Sequence, residues 1–183
     1  MTRLRFLAAA MLGSASALAL AVPAEASRVL FATGAKARGA DDLTPGAMQT
    51  VTGGITQIET DVGGIVSFVG AARFSADADR LIITQGQFTV TAAANGEPVA
   101  LEISGTITAL IGGATGAATF TIDAAGVLTG RTLGGTVTLT SGGETRRYDP
   151  GSAFRAAAGS APVAIVTAGA QSVSAASGEG DCR

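Results

Sequence analysis

Five carboxylates, Asp77, Asp79, Glu97, Glu102 and Asp123, are the side chains here best suited to acid–base work, and two would suffice for a glycosidase if set across a sugar cleft. Such clefts stack sugar rings on aromatics. This chain offers one tyrosine, no tryptophan and a few phenylalanines whose apolar periodicity assigns them to the core, so hydrolysis is not expected. Asp77-Ala78-Asp79 is similar to the opening of a calcium loop, since alternating carboxylates converge on a hard cation. It lacks the third ligand, the glycine and the closing glutamate, and reads as a solvated loop.

Histidine is absent, which removes the commonest general base, the Ser-His-Asp and Cys-His arrangements and most zinc sites. A Ser-Lys pair would have to use Lys36, the only lysine. No Gly-x-Ser-x-Gly elbow and no Gly-x-x-x-x-Gly-Lys loop follows residue 26, and Gly112 to Gly116 reads as a loop between strands. The expectation is therefore no catalytic residue, no metal site and no cofactor. Formal charge is −2, one unit more negative without Arg3, Arg5 and Glu25, and the arginines are scattered. Nucleic acid needs clustered cations and is not an expected partner. Arg146-Arg147 is the densest basic step, but neighbours on a strand point to opposite faces, so it reads as a solvated edge.

The elements that would carry these residues are strands. Gly, Thr, Ala and Val dominate, and from Leu43 onward period-two alternation recurs with a turn signal every eight to twelve residues or so. Ile65 to Val69 closes at Gly70, Ala72 to Ser75 leads into Asp77, and Leu81 to Thr84 ends at Gln85-Gly86. Phe88 to Thr91 follows, then Asn95-Gly96 as a hairpin signal with Val99 to Ile103 as the returning strand. Gly105 to Ile111, Ala118 to Ile122, a strand from Val127, Thr136 to Thr140 and Thr145 to Tyr148 continue the pattern. Each has an apolar face and a Thr-rich face. Asp149-Pro150-Gly151-Ser152 is a turn, Phe154 closes the core, and Val163 to Val166 adds a last short strand.

Around this body lie segments of different composition. Arg3 and Arg5, an apolar run from Phe6 to Val22 and Ala24-Glu25-Ala26 form an export signal, with cleavage expected between Ala26 and Ser27 and no membrane segment left afterwards. Residues 27–42 read as an N-terminal arm, 43–167 as the β-domain and 168–183 as a small, polar, disordered tail carrying Cys182. Barrels that cross membranes need strands of roughly nine to eleven residues and aromatic girdles, and neither is seen in the pattern. The expected fold is all-β: a single two-layer β-sandwich or flattened β-roll of short, antiparallel-rich strands, behind a signal-peptide helix.

From about Leu43 to Phe154 the chain resembles the FecR-like periplasmic domain family. The resemblance is carried in order by Leu43-Thr44-Pro45-Gly46, by Ile58 to Phe68 with its Gly63-Gly64, and by Leu81 to Val90 with its central Gly86. Gly134-Gly135-Thr136-Val137, Ser141-Gly142-Gly143-Glu144 and Asp149-Pro150-Gly151-Ser152-Ala153 complete it. The chain departs at Val69-Gly70-Ala71, where Asp-Gly-Ser is usual, and in having no cytoplasmic segment or retained membrane helix before the domain. The family's signalling role across the inner membrane is then out of reach. What the resemblance implies is an extracytoplasmic β-domain for binding or assembly, with no catalytic residues. The expected function is that of a periplasmic or secreted non-enzymatic module binding an envelope protein or polysaccharide. The alternative is a surface protein that assembles with copies of itself.

Overall fold

The computed structural model of this protein describes residues 27–33, 43–77 and 80–166. The signal segment with Ala26, Lys36, Asp79 and the tail with Cys182 lie outside the described residues. Ten strands form one large, mostly antiparallel sheet: β1 (Arg28–Ala32), β2 (Gln49–Glu59), β3 (Ile65–Ala76), β4 (Leu81–Thr91), β5 (Val99–Ile103), β6 (Ile107–Ile122), β7 (Leu128–Ser141), β8 (Glu144–Tyr148), β9 (Ala153–Ala156) and β10 (Val163–Ile165). The all-β expectation holds for these residues. Within the expected N-terminal arm, Arg28–Ala32 is an edge strand paired with β2, and its Val29 is buried.

The expectation of short strands is overturned, and with it the strand-length argument against a membrane-spanning barrel. β2, β3, β4, β6 and β7 run to between 11 and 16 residues. Each contains the glycines that locally look like strand ends. Gly70 sits inside β3, Gly86 inside β4 and Gly112 to Gly116 inside β6, not in loops between strands. The pairing register slips at Thr52/Ile55 and Val69/Arg73, and between Gly112 and Ala117, so these glycines are bulges at which a continuous strand bends. A glycine at a bend has the same local chemistry as a glycine in a turn. Only the pairing on either side distinguishes them.

The bends divide the sheet into two arms. One contains β5 and β8 with the adjacent halves of the long strands; the other contains β1, β9 and β10 with the remaining halves. Phe68 and Phe74 show how sharply a strand turns between them. Six residues of straight strand span about 20 Å. Yet the two rings are stacked with centroids 4.9 Å apart and planes 11° from parallel. β3 therefore turns back toward itself, and apolar residues of both arms meet in one core.

Aromatic rings run through that core in cross-strand register. Phe68 is opposite Phe88 and Phe88 opposite Phe120, then Phe120 opposite Gly130 and Gly130 opposite Phe154. Successive ring centroids lie 5.5, 5.1 and 5.6 Å apart, and Tyr148 adds a contact of 5.0 Å to Phe154. These separations suit offset or tilted ring packing. Gly130 is the vacancy in the series that lets the rings approach: a Cβ there would lie 2.5 Å from the Phe154 ring. Phe31 departs from the expectation that the phenylalanines are core residues, being about half exposed on edge strand β1.

Two hairpin expectations have different outcomes. Ser141 and Glu144 pair across Gly142 and Gly143, both at positive φ, so β7 and β8 form the tight hairpin read from the sequence. Asn95-Gly96 does turn the chain, with the Gly96 amide donating to the Ala93 carbonyl at 3.0 Å. Val99 to Ile103 does not return along β4, however. β5 lies parallel to the first half of β4, Leu101 opposite Leu81, wedged between β4 and β6 where those strands separate. Because β4 is bent, its end lies near enough to its start for a short connection to make this parallel pairing.

Candidate binding face

Of the carboxylates considered for acid–base work, the four among the described residues, Asp77, Glu97, Glu102 and Asp123, each sit in a separate local setting. Glu102 is paired with Arg80 at 3.1 Å, and Glu97 accepts from Asn95 Nδ2 at 3.2 Å in an exposed turn. Asp123 accepts the amides of Ala125 and Val127, both at 2.9 Å, and so closes the β6–β7 turn. The Asp77 amide donates to the Arg80 carbonyl at 2.9 Å. Among the described residues no group of three or more His, Cys, Asp or Glu side chains is placed to hold a metal ion. No helix among them is long and apolar enough to cross a membrane.

What the fold assembles instead is a polar face. In the arm containing β9, alternation sends Phe68, Phe88, Phe120 and Phe154 inward and their neighbours outward. One outward row runs, strand by strand from β2 to β10, through Ile55, Val69, Gln87, Thr121, Thr129, Arg155 and Val163. The next runs from β1 through Phe31, Gln57, Ser67, Thr89, Thr119, Arg131, Ala153 and Ile165. Along a strand these rows are two residues apart, about 6.6 Å; between strands they repeat every 4.8 Å or so. The middle of the face is thus a grid of hydroxyl and amide groups. Gln57 donates to Ser67 Oγ within it at 3.2 Å.

The grid grades into apolar residues on both sides. Ile55 and Val69 are directly opposite each other and exposed, as are Val163 and Ile165 at the far edge. Arg131 and Arg155 stand between the threonines and that edge. Alternation in the sequence places the Thr-rich face strand by strand, but it carries no signal that these two arginines are neighbours. They are separated by 24 positions, and only the β7–β9 pairing brings them together.

The arm containing β5 also has an outward threonine row, Thr108, Thr140 and Thr145 in register, with several of its polar and charged groups paired. Thr140 and Thr145 share a 2.9 Å hydrogen bond, Arg80 is paired with Glu102, and Arg147 contacts Asp149 at 3.4 Å. Arg146 and Arg147 are exposed on edge strand β8 and oppose Leu139 and Thr138, on opposite faces, as the sequence predicts.

Sheet edges form the second candidate surface. β8 carries Glu144, Arg146 and Arg147, and charge on an edge discourages further pairing. β10 carries Val163, Ala164 and Ile165, all exposed and uncharged. Compared with protein-family models, curated proteins and solved structures, the chain matches none.

Proposed function

We propose that this protein is an exported, non-enzymatic β-domain that binds an envelope protein or polysaccharide through the hydroxyl and amide face of its β9-containing arm. The observation that carries this reading is the grid itself: Thr89, Thr119, Thr121 and Thr129 occupy adjoining positions on neighbouring strands, facing outward. Hydroxyls both donate and accept, and a flat array of them presents many weak contacts to an extended ligand. The reading takes the bent sheet as a flattened roll whose arms close on the aromatic core, leaving the outer faces for recognition. Export follows from the charged start, apolar run and Ala24-Glu25-Ala26 site of the leader. The resemblance to FecR-like periplasmic domains supports the same compartment and a role in binding.

The test is capture from envelope extract with the chain beginning at Ser27, beside a Thr89→Glu/Thr121→Glu variant of unchanged circular dichroism. A partner retained by the first and lost from the second is expected. Equal retention, or none by either, sinks the reading.

A second reading, self-assembly at the cell surface, is favoured by the uncharged β10 edge, because unpaired backbone groups there accept another strand. Light scattering over a concentration series separates the two, since a monomer at every concentration excludes assembly. Cys182→Ser shows whether any dimer is only a tail disulfide.

A further inference from the structure

The threonine grid ends at two arginines that the β7–β9 pairing sets side by side. Arg131 lies opposite Thr119 and Ala153, and Arg155 opposite Thr129 and Val163. They are diagonal neighbours across β7 and β9, a separation of about 7–8 Å with the Cβ atoms somewhat closer. Both are exposed on the outward face. Neither outward row contains a carboxylate, and Glu59, two residues beyond Gln57 on β2, is held by Arg28 at 2.6 Å. Arg80 and Arg147 likewise have carboxylate partners. Among the described residues neither Arg131 nor Arg155 has an ion pair or a side-chain hydrogen bond. Two like charges side by side repel, and no carboxylate among the described residues is paired with either of them.

We propose that Arg131 and Arg155, with Thr119, Thr121 and Thr129, form the anion-binding end of a site for a carboxylate-bearing polysaccharide. The inference rests on the polymer-binding reading and commits it to an acidic ligand. Charge complementarity carries it: a guanidinium fork matches a carboxylate, while threonine hydroxyls exchange hydrogen bonds with sugar hydroxyls. A chain of net charge −2 repels a polyanion as a whole, so retention requires a local positive site. The grid lacks an aromatic platform, so each sugar is held weakly. A repeating polymer compensates by engaging several strands at once.

The experiment measures retention of the chain from Ser27 on immobilised polygalacturonate, with pullulan as the neutral polymer and duplex DNA as a different polyanion. Wild type is expected to bind polygalacturonate in low salt, to be released by added salt, and to pass through the other two. Arg131→Gln/Arg155→Gln should weaken binding at least tenfold. Arg73→Gln/Arg146→Gln removes the same charge elsewhere and should leave it unchanged. Equal loss in the two double variants overturns the proposal, as does equal retention on pullulan or DNA. If polygalacturonate retains nothing while envelope extract still yields a partner dependent on Thr89 and Thr121, the acidic ligand is wrong and the binding function stands. If neither surface retains the protein, both fall.

Discussion

Tyr148 is the one tyrosine of a chain without tryptophan, so its hydroxyl can be followed without interference. Its ring packs on Phe154, the residue is 4% exposed, and among the described residues its OH has no hydrogen-bond partner. Burial raises its pKa above the ordinary value of 10.0, and the nearby Arg146 guanidinium opposes part of that rise. The fold thus favours the protonated phenol. Stability from this preference is complete below pH 10 and is lost as pH rises from there through the higher folded value. We expect the thermal midpoint to fall above pH 10, tyrosinate absorbance to appear at higher pH in folded than in urea-unfolded protein, and Tyr148→Phe to abolish that fall. At neutral pH the same variant should equal wild type or gain about 1 kcal/mol in urea unfolding, because an orphaned buried hydroxyl is removed. Loss of more than that would mean the OH has a partner. The burial of most phenylalanines was legible from alternation, which fixes side-chain direction within a strand. Phe31 was not, because burial also requires something on the other side.

At the scale of the element, strand direction was readable and strand length was not. By local pattern Gly70, Gly86 and Gly112 look like strand ends, whereas the sheet uses them as bends within continuous strands. Gly135 shows the constraint at such a bend. Its φ is +60°, and an added Cβ would lie 2.6 Å from Gly116 Cα, so two strands approach there more closely than side chains allow. Gly130 serves packing instead, its missing side chain replaced by the Phe154 ring. Gly130→Ala should destabilise the protein by about 1–3 kcal/mol through overpacking, read from denaturant midpoints. Combining it with Phe154→Leu should cost less than the sum of the two single changes, because the smaller side chain relieves the overlap with the ring while that with the Thr119 carbonyl, also 2.5 Å from the added Cβ, remains. Strict additivity would show that the ring does not fill the glycine's place. The turns at Ser141 to Glu144 and at Asp149 to Ser152 were legible because their chemistry is complete within four residues.

For the whole molecule, the consequence of the bent sheet is a protein with one shared core, a polar outer face and edges of unequal character. If copies associate, the uncharged β10 edge is where they should do so. Ile165→Lys is then expected to abolish concentration-dependent light scattering, and the same substitution at the already charged β8 edge, Thr145→Lys, to leave it unchanged. Scattering that persists in Ile165→Lys assigns assembly to another surface. By itself the sequence determined the all-β character, the two-faced strands, the tight turns and the scarcity of acid–base groups. Each of those depends on residue type and spacing within a few positions. Tertiary structure alone decided that glycines bend strands without ending them, that β5 runs parallel to β4, and that Arg131 and Arg155 become neighbours. These depend on which distant segments pair, and the free energy that selects a pairing comes from a core that exists only once the strands have met.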